Sequence, residues 1–132
     1  MSLWEIRKAV KPWLNGETLL FGCSGGADSM ALAAALLKEA GNAKVIPVVV
    51  DHGLQKDSAE IASQTVSNLK AMGFAEVATA RANVEVTDGL EASARRARYL
   101  IFKQFIDSYQ PKYFMLAHTL NDQAESVLLG LA

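Results

Sequence analysis

Two rhythms of apolar residues alternate along the chain. Residues 3–14 place Leu3, Trp4, Val10, Trp13 and Leu14 in a helical pattern that Asn15-Gly16 ends. Thr18–Cys23 is a short apolar run leading into Ser24-Gly25-Gly26, the pattern of a buried strand. Residues 28–40 are rich in Ala and Leu, contain no Pro or Gly, and stop before Gly41, which predicts a helix with glycine at C′. Lys44–Val50 is the second strand, and its near-continuous apolar character suits a parallel strand covered on both faces. Pro47 conflicts with that position, because proline removes a ladder donor.

Asp57-Ser58-Ala59-Glu60 has the form of a capping box and opens a helix to Met72, with Gly73 as its stop. Phe74–Ala80 is a third, weaker strand. Asp88-Gly89-Leu90-Glu91 repeats the cap-and-carboxylate pattern and opens a helix to Ser108. Its apolar stripe is Leu90, Ala94, Ala97, Ile101 and Phe105, and Pro111 follows as a stop. Tyr113–Ala117 is the fourth strand, and Thr119–Asp122 begins a last helix. The apolar positions Val127, Leu128 and Leu131 of that helix continue to the end of the sequence without a cap, as in a fragment cut inside or just after an element.

Strands alternating with helices predict an α/β fold with a parallel twisted sheet. Right-handed crossovers that first move one way from strand 1 and then return give the order 3-2-1-4, with helices on both faces. The reversal lies between strands 1 and 4, and ligands of such sheets sit beyond the carboxyl ends at that point. The two most polar loops, Ser24–Ser29 and His118–Asp122, meet there. Residues 1–17 read as a helix preceding a single domain over 18–132.

Composition narrows the classes. The chain has 132 residues, 51% apolar and 20% charged, the profile of a globular domain. Thirteen Lys and Arg against fourteen Asp and Glu leave a formal charge of −1, so no nucleic-acid-binding surface is advertised. One cysteine, Cys23, excludes a disulfide framework and a multi-cysteine metal site within this sequence, and it reads as a small strand residue. No stretch of 18 apolar residues exists, so no membrane span is expected. The opening MSLWEIRKAVKPW is not a secretory signal, which leaves the cytoplasm as the expected compartment. An open sheet edge and an apolar helix face offer a route to self-association.

Each polar cluster admits a chemical and a bland reading. In Ser24-Gly25-Gly26-Ala27-Asp28-Ser29 two glycines allow a tight turn and close approach of a ligand. The helix-start amides and two hydroxyls form an anion cradle without the lysine of a Walker loop. The same six residues also suit an ordinary βα turn with Asp28 at the helix N-terminus. Gly22-Cys23-Ser24-Gly25-Gly26 further fits the nucleophile elbow of a serine hydrolase, with Asp107 and His118 completing a triad. Asp51-His52-Gly53-Leu54 sits where an acidic residue meets a ribose in dinucleotide folds, or is a polar turn.

Glu91, Arg95 and Arg98 share a helix face, either as a solvated ion-pair set or with a guanidinium reaching a phosphate, while Arg96 points to solvent. Asp122 and Glu125, one turn apart, suit Mg²⁺ or simply a helix start capped by Thr119. His118 alone reads equally as a turn residue.

The Ser24–Ser29 motif resembles the PP-loop of the N-type ATP pyrophosphatases. Four further segments narrow the resemblance: Val50-Asp-His-Gly-Leu54, Glu91-Ala-Ser-Ala-Arg-Arg-Ala-Arg-Tyr99, Leu116-Ala-His118 and Asn121–Leu129. Their order and spacing are similar to the N-terminal domain of the tRNA(Ile)-lysidine synthases over nearly all of residues 18–132. The resemblance implies a Rossmann-like fold of the adenine nucleotide alpha hydrolase type, incomplete at its C-terminus.

It implies a cytoplasmic ligase that adenylates the C2 oxygen of cytidine 34 in a tRNA(Ile) with a CAU anticodon. The lysine side-chain amine then displaces AMP. Ser24, Gly25, Gly26, Ala27, Asp28 and Ser29 would grip ATP, with Asp51, His52 and His118 bordering it. Asp28, Asp122 and Glu125 would hold Mg²⁺, and Arg95 or Arg98 would stabilise charge at the α-phosphate. Asn121 stands where the family carries the first of two consecutive acids, which leaves Asp122 as the candidate. The tRNA would be held mostly by regions outside these residues, so the 132 residues alone are expected to bind ATP only weakly and not to modify tRNA. The alternatives are another PP-loop enzyme such as a tRNA cytidine thiolase, the serine hydrolase, and a non-catalytic nucleotide-binding module. Against a thiolase stands the single cysteine, since such enzymes use several or a cluster.

Overall fold

Side-chain parity along the strands sorts the core into two layers. Strand β1 (Thr18–Gly22) sends Leu19 and Phe21 to one face of the sheet and Leu20 to the other. In β2 (Lys44–Asp51), Val45 and Val49 join the first layer and Ile46 and Val48 the second. In β4 (Tyr113–Ala117), Tyr113 and Met115 face the first and Phe114 the second. The computed structural model describes residues 2–51, 53, 56–82, 89–117 and 126–130, with backbone alone for Leu90, Glu91, Ala94, Arg98, Leu116, Ala117 and 126–130.

Helices α1 (Leu3–Val10), α2 (Ala27–Glu39) and α3 (Ser58–Met72) cover the first face through Ile6, Val10, Leu32, Leu36 and Leu69. Helix α4 (Leu90–Tyr109) covers the second with Phe102, Phe105 and Ile106, and the Phe102 and Phe114 rings lie 4.7 Å apart. The sheet order is β3-β2-β1-β4-β5, where β3 is Ala78–Arg81 and β5 is Ser126–Gly130. The first four strands are parallel. This is the expected 3-2-1-4 core. Two crossovers moving one way place α2 and α3 on one face, and the return crossover of the same hand places α4 on the other.

The fifth strand corrects the expected last helix. Ser126–Gly130 pairs antiparallel with β4, from Tyr113↔Gly130 to Ala117↔Ser126. The three-residue apolar run Val127–Leu129 satisfies a helix or a strand equally, and periodicity does not separate them. The outer edge of β4 supplies unpaired backbone groups, which the strand satisfies. The sheet is therefore mixed at this edge. The rest of the expected helix, at 119–125 and 131–132, lies outside the described residues.

Smaller departures have local causes. The first helix stops at Val10 and continues as a 3-10 turn over Lys11–Trp13, because Pro12 cannot donate to an α ladder. Ser2, not singled out from sequence, caps α1 by accepting from the Glu5 amide at 3.2 Å. The Asp57 capping box does not form, since Asp57 makes no side-chain cap bond. Pro47 is accommodated by register. Even-numbered residues of β2 face β1, as the bond from Cys23 N to Val48 O (2.9 Å) shows, so Pro47 faces the β3 side. There β3 begins only opposite Val48, and no ladder donor is required of Pro47. No helix among the described residues is long and apolar enough to cross a membrane.

Candidate nucleotide-binding site

The site follows from which strands are neighbours. β1 and β4 are adjacent and parallel, with Gly22 opposite Leu116. The chain leaving β1 at Cys23 and the chain leaving β4 after Ala117 therefore depart from one edge. β2 flanks β1 on the other side and ends there at Asp51. The reversal of strand order falls between β1 and β4, as expected.

The turn after β1 is held by its own serines. Gly25 has φ +88°, a left-handed conformation that disfavours any other residue. Ser29, 4% exposed, accepts from the Gly25 amide at 3.1 Å and donates to the Gly26 carbonyl at 3.1 Å. The Ser24 hydroxyl lies 3.2 Å from that of Ser29 and 3.4 Å from the Gly26 amide. Helix α2 starts directly after Gly26 with no side-chain cap, and Asp28 stands in its first turn. The amides of a helix's first turn lack intrahelical partners and carry its positive end. The two glycine amides and the Ser29 hydroxyl are thus engaged within the turn, and what the turn sets at the sheet's switch point is the uncapped start of α2, an arrangement suited to anionic oxygens.

Cys23 is 3% exposed, with its thiol 3.6 Å from Ser29 Oγ and 3.7 Å from Met30 Sδ, a packed strand-end residue as read from sequence.

Around the turn the candidates are distributed unevenly. Asp51 Oδ1 accepts from the Gly53 amide at 2.9 Å, and Gly53 has φ +64°, so this carboxylate shapes its own turn. Ala97 and Ile101 of α4 pack with Ala82, Ala80 and Val50 at the strands' carboxyl ends, and Arg95, two residues before Ala97, is exposed. Arg96 is exposed, 3.4 Å from Ser93 Oγ. The side chains of Glu91 and Arg98, and the residues His52, His118, Asp122 and Glu125, lie outside the described residues.

Asp107 is at the wrong end for the hydrolase triad. It sits in the last turn of α4, and just beyond it the Lys112 amide bonds Thr18 O, at the start of β1, whereas Ser24 follows the end of that strand.

Two residues enter that sequence reading did not select. Arg81 ends β3 at this edge, and a Cβ on Gly53 would stand 3.8 Å from its guanidinium. Thr65 of α3 is 4% exposed and backs the turn: a Cβ on Gly25 would lie 2.3 Å from Thr65 Oγ1. Its place one turn before Leu69 on α3 signals burial, but nothing in the sequence signals its contact with Gly25.

Known proteins share this architecture. The tRNA(Ile)-lysidine synthase of Leifsonia xyli subsp. xyli is 46% identical over 123 residues, covering 92% of this chain and 37% of that protein. Those of Rhodococcus jostii and Corynebacterium glutamicum are each 42% identical, covering 99% and 96% of this chain. The chain spans 37–40% of the length of these curated relatives. Among solved structures, the U34-tRNA thiolase from Methanococcus maripaludis with its [4Fe-4S] cluster superposes with a TM-score of 0.75 at 19% identity, over 91% of this chain and 46% of that one. The NH3-dependent NAD synthetase from Campylobacter jejuni has a TM-score of 0.57 at 14% identity, over 90% of this chain and 57% of that one. These two likenesses establish the shared fold. Residues 3–132 match the PP-loop domain model, and this chain is a member of that family.

Proposed function

We propose that this chain is the ATP-binding part of a cytoplasmic tRNA(Ile)-lysidine synthase. The observation that carries the reading is the Ser24–Ser29 turn, which sets an uncapped helix start at the sheet's reversal, in a chain 46% identical to such a synthase. Ser24, Gly25, Gly26, Ala27, Asp28 and Ser29 hold the pyrophosphate portion of ATP, and Asp51, His52 and His118 border the nucleotide. The C2 oxygen of cytidine 34 attacks the α-phosphorus, the α–β bond breaks and pyrophosphate leaves. The ε-amine of lysine then attacks C2 and AMP departs, leaving lysidine.

Backbone donors suit a leaving pyrophosphate because they favour its charge at fixed positions. Arg95 or Arg98 meets the charge at the α-phosphate. Of the three carboxylates assigned to Mg²⁺, Asp28 alone is described, and its place in the first turn of α2 beside the anion cradle fits an oxygen ligand there. With Asp122 and Glu125 it would hold the ion, which neutralises phosphate oxygens when bound.

A chimera tests the proposal: these 132 residues replace the matching segment of the Leifsonia xyli relative. Lysidine formation and pyrophosphate release, both dependent on a tRNA(Ile) with a CAU anticodon, are the expected result. A folded chimera that binds ATP yet releases no pyrophosphate with that tRNA and lysine contradicts it.

A further inference from the structure

We infer that Thr65 of α3 is a positioning residue for the nucleotide-holding turn, an inference that rests on the ATP-binding reading of Ser24–Ser29. Gly25 is constrained twice. Its φ of +88° disfavours a side chain, and the space a Cβ would enter is filled, 2.3 Å from Thr65 Oγ1. That distance puts the hydroxyl oxygen against the glycine's own Cα. Thr65 is buried and its hydroxyl donates to Ile61 O at 2.8 Å, so the proton is committed within α3 and the oxygen is fixed in orientation. An oxygen is smaller than a methyl group and permits this approach.

The backing fixes where the turn's donors point. Gly25 sends its amide to Ser29 Oγ at 3.1 Å, and its neighbour Gly26 is the N-cap of α2. A shift of Gly25 away from α3 would rotate both amides. The same helix follows closely on the turn that Asp51 and Gly53 form at the end of β2. Thr65 is therefore the side chain through which the position of α3 is transmitted to the phosphate side of the turn.

The test compares Thr65→Ser with Thr65→Val, using amide hydrogen exchange by NMR without nucleotide and ATP affinity by calorimetry. Ser keeps the oxygen and the bond to Ile61 O. It should leave both readouts within about twofold of the parent. Val puts a methyl group against Gly25. It should speed exchange of the Gly25 amide, and weaken ATP binding, by about tenfold or more, while the core amides of Leu20 and Leu69 keep their protection. The inference is overturned if Val matches the parent in Gly25 exchange, or if its effect spreads equally to Leu20 and Leu69, as a purely structural role would give. Absence of ATP binding by the parent overturns the nucleotide reading instead, and the exchange comparison still decides whether Thr65 positions the turn.

Discussion

The buried hydroxyl of Ser29 accepts from the amide of Gly25, four residues earlier, at 3.1 Å and donates to the carbonyl of Gly26 at the same distance. One side chain thereby ties the first turn of α2 to the loop that precedes it. Ser29→Ala removes both bonds and leaves the Gly25 amide without this partner. We expect a stability loss of about 1–3 kcal/mol in urea unfolding, the cost of unsatisfied polar groups in a buried setting. ATP affinity should fall with it. Unchanged stability would show that the hydroxyl is not holding the turn.

The two glycines of the turn are predicted to fail differently. Gly25→Ala meets both a φ of +88° and Thr65 Oγ1, and should destabilise the fold by about 1–3 kcal/mol. Gly26 has an ordinary φ of −71°, and a Cβ there would stand 3.6 Å from Ser24 Oγ, an unstrained contact. Gly26→Ala should leave the thermal midpoint within a degree or two, roughly the response to a surface substitution. It should still weaken ATP binding, because the methyl group enters the face the phosphates approach. Equal loss of stability in both variants would contradict the geometry.

At the opposite edge of the sheet, Tyr109 donates to Glu76 at 2.6 Å, with Lys44 3.4 Å from the same carboxylate. The Tyr109 hydrogen bond, and secondarily Lys44, hold the Glu76 carboxyl below its usual range, while the carboxylate pushes the Tyr109 phenol above its own. The lowered acid contributes stability above its unfolded-state value and loses it as pH falls through the folded value. The raised phenol contributes below its unfolded-state value and loses it as pH rises through the folded one. The difference in thermal midpoint between the parent and Tyr109→Phe should therefore be constant near neutrality and shrink in both acid and strong alkali. A difference that persists unchanged into acid would assign the effect to packing.

Much of this was legible in the sequence. The parity of Leu19, Leu20 and Phe21, and the same alternation in β2 and β4, decides which face each residue covers, and the handedness of the crossovers then orders four strands. The placement of Ser24–Ser29 at the reversal followed from that order. Ser126–Gly130 was not legible, because a short apolar run takes its conformation from whatever edge is available, and β4 provides one. Pro47 read as a conflict only because the start of β3 is a tertiary fact. Thr65 was out of reach for a similar reason: it touches a glycine forty positions away, and nothing local to a helix predicts that contact.

Whether the Ser24–Ser29 turn holds the polyphosphate is decided by an amide NMR titration of the ¹⁵N-labelled chain with ATP, set against one with AMP. ATP should shift the amides of Gly25 through Ser29 most, with only small changes there from AMP, because the turn holds the phosphates beyond the α position. ATP binding that leaves these amides unmoved, or that AMP reproduces in full, would contradict it.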